Sequence, residues 1–251
     1  ADLKRKYGSS VEEILVTFGR LQDDLKKDTS SDESLKTLDE QIQKLIGVCK
    51  KDATQLYEKR ERVAKIFSDS VTAELKELNM PDAVFKATVE NYPDFDQWIE
   101  HSSPNDICFN VLTNRGESTQ PLGKVASGGE LSRMMLSIRR VISDRGGIGV
   151  YLFDEIDSGI GGQTAFQVGK KLKSVSRHNQ VICITHLPQV AAFADHHMIV
   201  EKQPSGKRTV TQVRALKTKE KQEEIARMLG GEKITPSSLK NASDLMKMAS
   251  V

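Results

Sequence analysis

From Ser127 onward the 251-residue chain alternates helix-period and strand-period segments, and this alternation most narrows what it can fold into. The spacing predicts a helix over 129–143, a strand over 148–153, a helix over 163–176, a strand over 180–184 and a short helix over 188–194. Strands follow over 197–202 and 208–216, and helices over 219–229 and 236–249 close the chain, the first stopped by Gly230-Gly231. Strands separated by helices of this length imply a parallel sheet with right-handed crossovers, and such sheets bind ligands at the C-terminal ends of their strands.

Chemistry-bearing residues fall at those ends. Ser127-Gly128-Gly129 opens the first helix, followed by Glu130, and a helix start offers unpaired N–H groups and a positive dipole end to a phosphate. By itself this is also an ordinary capped helix with a glycine-rich entry. The apolar run Val150–Phe153 ends in Asp154-Glu155, two carboxylates where a magnesium ion and an attacking water can be held. Asp157 lies just beyond in DSGIGG, a segment whose Ser-Gly and Gly-Gly pairs also read as a simple turn. His186 follows the apolar run VICIT, while His196 and His197 have no such placement and read as structural.

The segments ASGGELSR, FDEIDSGIGG, ITHLPQVAAFADHHMIVEK and EIARMLGG, with LKRKYGSSVEEIL near the start, resemble the bacterial RecN family, SMC-like proteins of double-strand-break repair. The likeness covers nearly the whole chain, and ITHLPQVAA is its most discriminating part, since generic cassette ATPases share only the Thr-His core. It implies an α/β fold, the C-terminal half of an ABC/SMC-type ATPase head with a long coiled-coil arm, working with ATP and Mg2+. On that resemblance Ser127, Gly128, Gly129 and Glu130 form the signature turn facing the γ-phosphate of ATP held by the opposite head. Glu130 stands where many relatives have Gln. Asp154 would hold magnesium, Glu155 would orient or deprotonate the attacking water, Asp157 would couple one nucleotide site to its twin, and His186 would contact the γ-phosphate. The implied partners are a second copy, DNA, and an N-terminal half of the same protein.

No GxxxxGK[ST] occurs: Gly123-Lys124 is followed by Val125 and lacks the first glycine. The phosphate-cradling loop is therefore expected from sequence N-terminal to Ala1 or from another polypeptide. Ala1-Asp2-Leu3, without Met, likewise reads as a point inside a longer chain.

The N-terminal third has a different period. Ser9 or Ser10 can cap a helix whose Val11, Ile14, Leu15, Phe18, Leu21 and Leu25 share a face. The run DTSSDES, Asp28–Ser34, is expected to break it, with Ser30 and Glu33 at capping-box spacing starting a second helix that continues to about Asn79 with only Gly47 as interruption. At ~1.5 Å per residue that second helix is about 70 Å long, beyond an ordinary globular helix. Leu35, Ile42, Cys49, Leu56 and Val63 repeat by sevens, with Leu38, Leu45 and Ile66 on the second seam, which Asp52 and Lys59 break. The pattern suits a coiled-coil arm with a weak middle, returning, on the resemblance, against a helix outside this chain; a helix packed in a bundle is the alternative. Met80-Pro81 ends the arm, so 1–80 reads as arm and 81–251 as head lobe, which opens with strand-like runs Val84–Val89 and Ile107–Thr113 around an acidic stretch bearing Trp98.

Net charge is +2, but Lys and Arg against Asp and Glu sum to −5 over 81–107 and +6 over 202–251. The basic tail could meet DNA phosphates, though a solvated helix face explains it as well. Cys49, Cys108 and Cys183 are odd in number, far apart and without metal-type spacing, so they read as ordinary buried or half-buried thiols in a reducing, cytoplasmic compartment, and the resemblance implies a place around the nucleoid. No signal-peptide pattern and no apolar run near ~18 residues is seen, which weighs against a channel or permease chain, though a transporter's soluble ATPase subunit would also lack such a span. Two rival functions stay open: the head of another SMC-like chromosome or DNA-end ATPase, against which the short arm speaks, and a non-catalytic coiled-coil scaffold, against which the paired carboxylates speak.

Overall fold

The structure, a computed structural model, describes residues 2–114, 116–142, 149–205, 208–231 and 233–250, without the side chains of 27–33. It divides into two compact units, one of Ala1–Lys59 with Asn91–Asn105, the other of Arg60–Glu90 with Asp106–Val251.

In the first unit, α1 (Asp2–Tyr7) precedes α2 (Val11–Glu77), a helix that runs on into the second unit. Ser10 Oγ accepts from the Glu13 N–H at 3.1 Å, while the Glu13 carboxylate accepts from the Ser9 N–H at 2.6 Å and is held below its ordinary pKa by that bond. The break expected at Asp28–Ser34 is absent, because α2 is continuous over 67 residues. That run contains neither Pro nor Gly, and Ser, Thr and Asp cost at most roughly 0.7 kcal/mol each in a helix, too little to stop one already propagating. The Ser30–Glu33 side chains of the expected capping box lie outside the described residues. Gly47 does not interrupt the helix either. Leu35, Leu38, Ile42, Leu45, Val63 and Ile66 are all exposed, and so is Cys49 on the same seam, against the expectation of a buried or half-buried thiol. Around Trp98 a short helix unread from sequence, α3 (Phe95–Glu100), starts at Asp94, whose carboxylate accepts from the Gln97 N–H at 2.9 Å.

In the second unit, α2 stops where the sequence places its end. Asn79 takes the left-handed conformation (φ 61°), which asparagine tolerates better than other side chains, and Pro81 follows. Strands β1 (Val84–Asn91), β2 (Asn105–Leu112) and the two-residue β3 (Gln120–Pro121) form one sheet in that order, β2 and β3 antiparallel. Hydroxyls of α2 bind β1: Thr72 Oγ1 accepts from the Phe85 N–H at 3.1 Å and Ser68 Oγ from the Ala87 N–H at 2.9 Å. Val71, Leu75, Phe85 and Val111 form a core with Met134 and Ile138 of α4 (Gly128–Ile142). The same helix sends Leu136 into a second core with Phe153, Val168, Leu172 and Val175. At about 1.5–3 kcal/mol per fully buried apolar side chain, α4 is anchored from two sides.

That second core joins β4 (Val150–Phe153), α5 (Gly162–Val175), β5 (Gln180–Cys183) and α6 (Pro188–Ala191). β4 and β5 pair in parallel, from Val150 opposite Gln180 to Phe153 opposite Cys183, with α5 as the crossover between them. Lys171 of α5 is buried in ion pairs with Glu74 and Glu77 of α2, the Glu77 oxygen 2.8 Å away, and this bond holds the Glu77 carboxyl below its usual range. The parallel pattern does not extend to the next two strands: β6 (Met198–Ser205) and β7 (Arg208–Ala215) form an antiparallel hairpin. Two residues between strands suffice for a hairpin, whereas a parallel connection needs a dozen or more. α7 (Thr218–Gly230), ended by Gly231 at φ 84°, and α8 (Pro236–Ala249) pack through Ile225, Ala226, Ala242 and Ala249.

One face of the β4–β5 pair is bare. Tyr151, Phe153, Val181 and Cys183 pack on the helices, but Val150, Leu152, Ile182 and Ile184 are 64%, 66%, 47% and 56% exposed. Parallel sheets are ordinarily covered on both faces.

Candidate active site

Parallel pairing brings the C-terminal ends of β4 and β5 to one edge, where the Ile184 N–H still binds the Phe153 carbonyl at 3.0 Å. Asp154 and Glu155 leave β4 there, and Thr185 and His186 leave β5 beside them. Asp154 and Glu155 are exposed. Asp154 Oδ1 accepts from the Glu155 N–H at 2.9 Å, which bends the chain out of the strand. Glu155 then takes φ 56°, a left-handed conformation that costs a non-glycine residue roughly 1–2 kcal/mol. Its carbonyl accepts from the Ser158 N–H at 2.9 Å, closing a turn over 155–158.

Asp157 is buried in that turn and points back across the edge. Its Oδ2 accepts from Thr185 Oγ1 and, at 2.9 Å, from the His186 N–H, and it lies 3.2 Å from His186 Nδ1. Bonds from several donors satisfy a buried carboxylate that would otherwise be costly. The result fixes one side of the His186 ring while the side chain stays 74% exposed. Asp157 therefore holds the histidine turn from within rather than facing solvent. Next to it, burial and then the charges of Asp157 and Asp154 push the Cys183 thiol up to about 12, so it stays protonated and inert.

The start of α4 lies against the same turn. Ser127 Oγ accepts from the Glu130 N–H at 3.4 Å, a weak cap, and Ser127 and Gly128 are exposed. A Cβ on Gly128 would stand 2.6 Å from Glu155 Oε2, and one on Gly129 would stand 2.9 Å from Ser158 Cβ and 3.0 Å from the Glu155 carbonyl oxygen. Close approach, not helix formation, explains two glycines where each costs about 0.5–1 kcal/mol relative to Ala. One turn further on, Ser132 Oγ donates to the Asp154 carbonyl at 2.8 Å, and Arg133 Nη1 donates to the carbonyls of Ser158 at 2.8 Å and Ile156 at 3.4 Å.

The candidate site residues thus converge on one edge: Ser127 just before α4, Gly128, Gly129 and Glu130 in its first turn, Asp154, Glu155 and Asp157 after β4, His186 after β5. Sequence reading missed Ser132, Arg133 and Thr185, which tie these pieces together. A signal existed, since Ser132 and Arg133 follow Gly128 and Gly129 at i+4 and share their helix face. Among the described residues no three His, Cys, Asp or Glu side chains gather as a metal cage. One exposed carboxylate with a free oxygen is nevertheless the donor set of an ion that keeps most of its shell from water and substrate phosphates. The exposed pair can hold a hydrated cation and a polarised water, and the helix N-terminus can meet a phosphate.

No protein-family model matches the chain. It is 35% identical over 247 residues to the DNA repair protein RecN of Halalkalibacterium halodurans, covering 98% of the chain and 44% of that protein. With the DNA repair protein RecN of Vibrio cholerae it shares 38% identity over 247 residues, 97% of the chain and 44% of that protein. The chain spans less than half the length of these curated relatives. In fold it is similar to an Smc head domain with a coiled coil and joint from Pyrococcus yayanosii, with a TM-score of 0.55 and 22% identity over 86% of this chain and 38% of that one. With this identity over nearly its whole length, and a fold that agrees, the chain belongs to the RecN family, over the C-terminal half of its members.

Proposed function

We propose that the chain is the C-terminal half of an ATP-hydrolysing head in a DNA double-strand-break repair protein. One observation carries this reading: the Ser127 turn, the Asp154-Glu155 pair and the Asp157–His186 contact share a single edge although they are spread over 60 residues of sequence. In this reading ATP lies between two copies of the head. Ser127 and the first N–H groups of α4 meet the γ-phosphate held by the other copy. Asp154 would hold magnesium, and that ion would supply neutralising charge to the phosphate oxygens. Glu155 orients the attacking water and accepts its proton, and His186, steadied by Asp157, meets the γ-phosphate. DNA is the working substrate, and the setting is the cytoplasm around the nucleoid; among the described residues no helix is long and apolar enough to cross a membrane.

The phosphate-cradling loop belongs to an N-terminal half of the same protein, which this chain, at 44% of its relatives' length, does not span. The bare face of Val150, Leu152, Ile182 and Ile184 is where elements of that half pack as a covering layer. ATP titration separates the possibilities. The chain alone should bind ATP poorly and not hydrolyse it, while the full-length protein should do both. Micromolar ATP affinity of the chain by itself would overturn the split site, and a full-length protein without turnover would overturn the ATPase reading.

A further inference from the structure

Arg133 is 7% exposed, yet among the described residues no carboxylate pairs with it directly and its Nε has no hydrogen-bond partner; its Nη1 bonds go to the backbone carbonyls of Ile156 and Ser158. Burial pushes its pKa down, only partly countered by the Glu130 charge, but an arginine remains cationic. A buried cation with an orphaned N–H is costly, and Leu or Met would fill the same space between α4 and the 155–158 turn without that cost. What an apolar side chain cannot do is fix the direction of two carbonyls.

Those carbonyls flank the residues that matter. Glu155 is held at φ 56°, and relaxing to an ordinary conformation would rotate the peptide that follows it and swing its side chain away. Ser132 pins the carbonyl before Glu155, Arg133 pins the carbonyls of Ile156 and Ser158, and Gly129 lets α4 approach the Glu155 carbonyl itself. We infer that Arg133 is a positioning residue for hydrolysis: reaching from the signature helix, it locks the turn so that Glu155 presents its carboxylate to the attacking water. This rests on the ATPase reading above. Arg133 touches neither nucleotide nor water; it acts through Glu155 and binds the signature helix and the catalytic turn into one rigid piece.

The test uses the full-length protein, with steady-state ATP turnover of Arg133→Met and Arg133→Lys beside wild type and Glu155→Gln, and thermal unfolding of each. Arg133→Met should lower kcat at least tenfold with KM for ATP within about twofold, since nothing that binds ATP is removed, and with the unfolding midpoint held by the apolar replacement. Arg133→Lys, a single point donor that cannot span both carbonyls, should fall between Met and wild type. A kcat within twofold of wild type in Arg133→Met overturns the inference. So does a rise in KM together with a lowered unfolding midpoint and unchanged kcat, which marks a purely structural residue. Should Arg133→Met fail to fold, Arg133→Lys decides alone, and a wild-type kcat in it overturns the inference. If Glu155→Gln itself turns over like wild type, the assignment of Glu155 as the hydrolytic residue has failed instead, and a full-length wild type without turnover marks failure of the ATPase reading.

Discussion

Gly128 and Gly129 are neighbours in one helix turn, yet alanine should behave oppositely at the two positions. In a helix, Ala gains about 0.5–1 kcal/mol over Gly. At Gly129 the added Cβ would lie 2.9 Å from Ser158 Cβ, 3.0 Å from the Glu155 carbonyl oxygen and 3.3 Å from the Ser158 carbonyl oxygen. Two of those atoms are backbone, in a turn held by Ser132 and Arg133, so α4 or the turn must shift, and overpacking of this kind costs about 1–3 kcal/mol. At Gly128 the first contact is Glu155 Oε2 at 2.6 Å, the free end of an exposed side chain that can swing aside. Gly128→Ala should therefore be neutral or stabilising by up to about 1 kcal/mol, and Gly129→Ala less stable than Gly128→Ala by about 1–3 kcal/mol. Urea unfolding midpoints of the two variants read this difference directly. Equal stability of the pair, or a Gly129→Ala more stable than wild type, would refute the close packing of α4 on the turn. Gly128→Ala carries a second consequence: in the full-length protein it should slow ATP turnover despite its sound fold, because it displaces the Glu155 carboxylate.

Three further outcomes are expected. In the full-length protein Ser127→Arg should abolish ATP-dependent head pairing while sparing nucleotide binding by a single head; sedimentation at wild-type dimer levels would contradict a role of Ser127 toward the opposite copy. Burial, and secondarily the Lys221 charge, hold the His197 imidazole below its ordinary pKa, with Nδ1 buried and unpartnered among the described residues. A depressed folded-state value means stability present above about pH 6.5 and lost as pH falls below it, so the unfolding midpoint should drop in that range for the chain and drop less for His197→Gln; equal slopes would argue otherwise. Leu152→Gln, on the bare sheet face, should reduce self-association of the isolated chain yet destabilise the full-length protein, seen by light scattering and thermal unfolding, and a full-length protein indifferent to it would mean that nothing covers this face.

Much of this was legible in the residues. The two glycines after Ser127, the apolar run into Asp154-Glu155 and the one into Thr185-His186 carry their positions openly, because helix starts and parallel strand ends have strong local patterns. Asn79-Met80-Pro81 likewise marked the end of the long helix. Where sequence reading failed, the cause was a weak local preference set against a cooperative structure: Ser, Thr and Asp at 28–34 suit caps but do not stop a helix without Pro or Gly. The sequence places two strands at 197–202 and 208–216 with no helix between them, and their pairing as an antiparallel hairpin follows from that short connection. Arg133 was invisible for a different reason. A lone arginine on an amphipathic helix looks solvated, and only the approach of the 155–158 turn shows that its guanidinium is spent on two carbonyls.

The central claim is that Glu155 is the hydrolytic base of an ATP-sandwiching head, and Glu155→Gln in the full-length protein tests it most directly. Glutamine keeps the size and can still accept a hydrogen bond, so the fold and ATP-dependent head pairing should persist. Losing a general base typically costs about 100- to 10,000-fold in rate, so turnover should collapse while the ATP-bound dimer accumulates. Steady-state turnover within about threefold of wild type, with no accumulation of dimer, would contradict the assignment of Glu155 as the base.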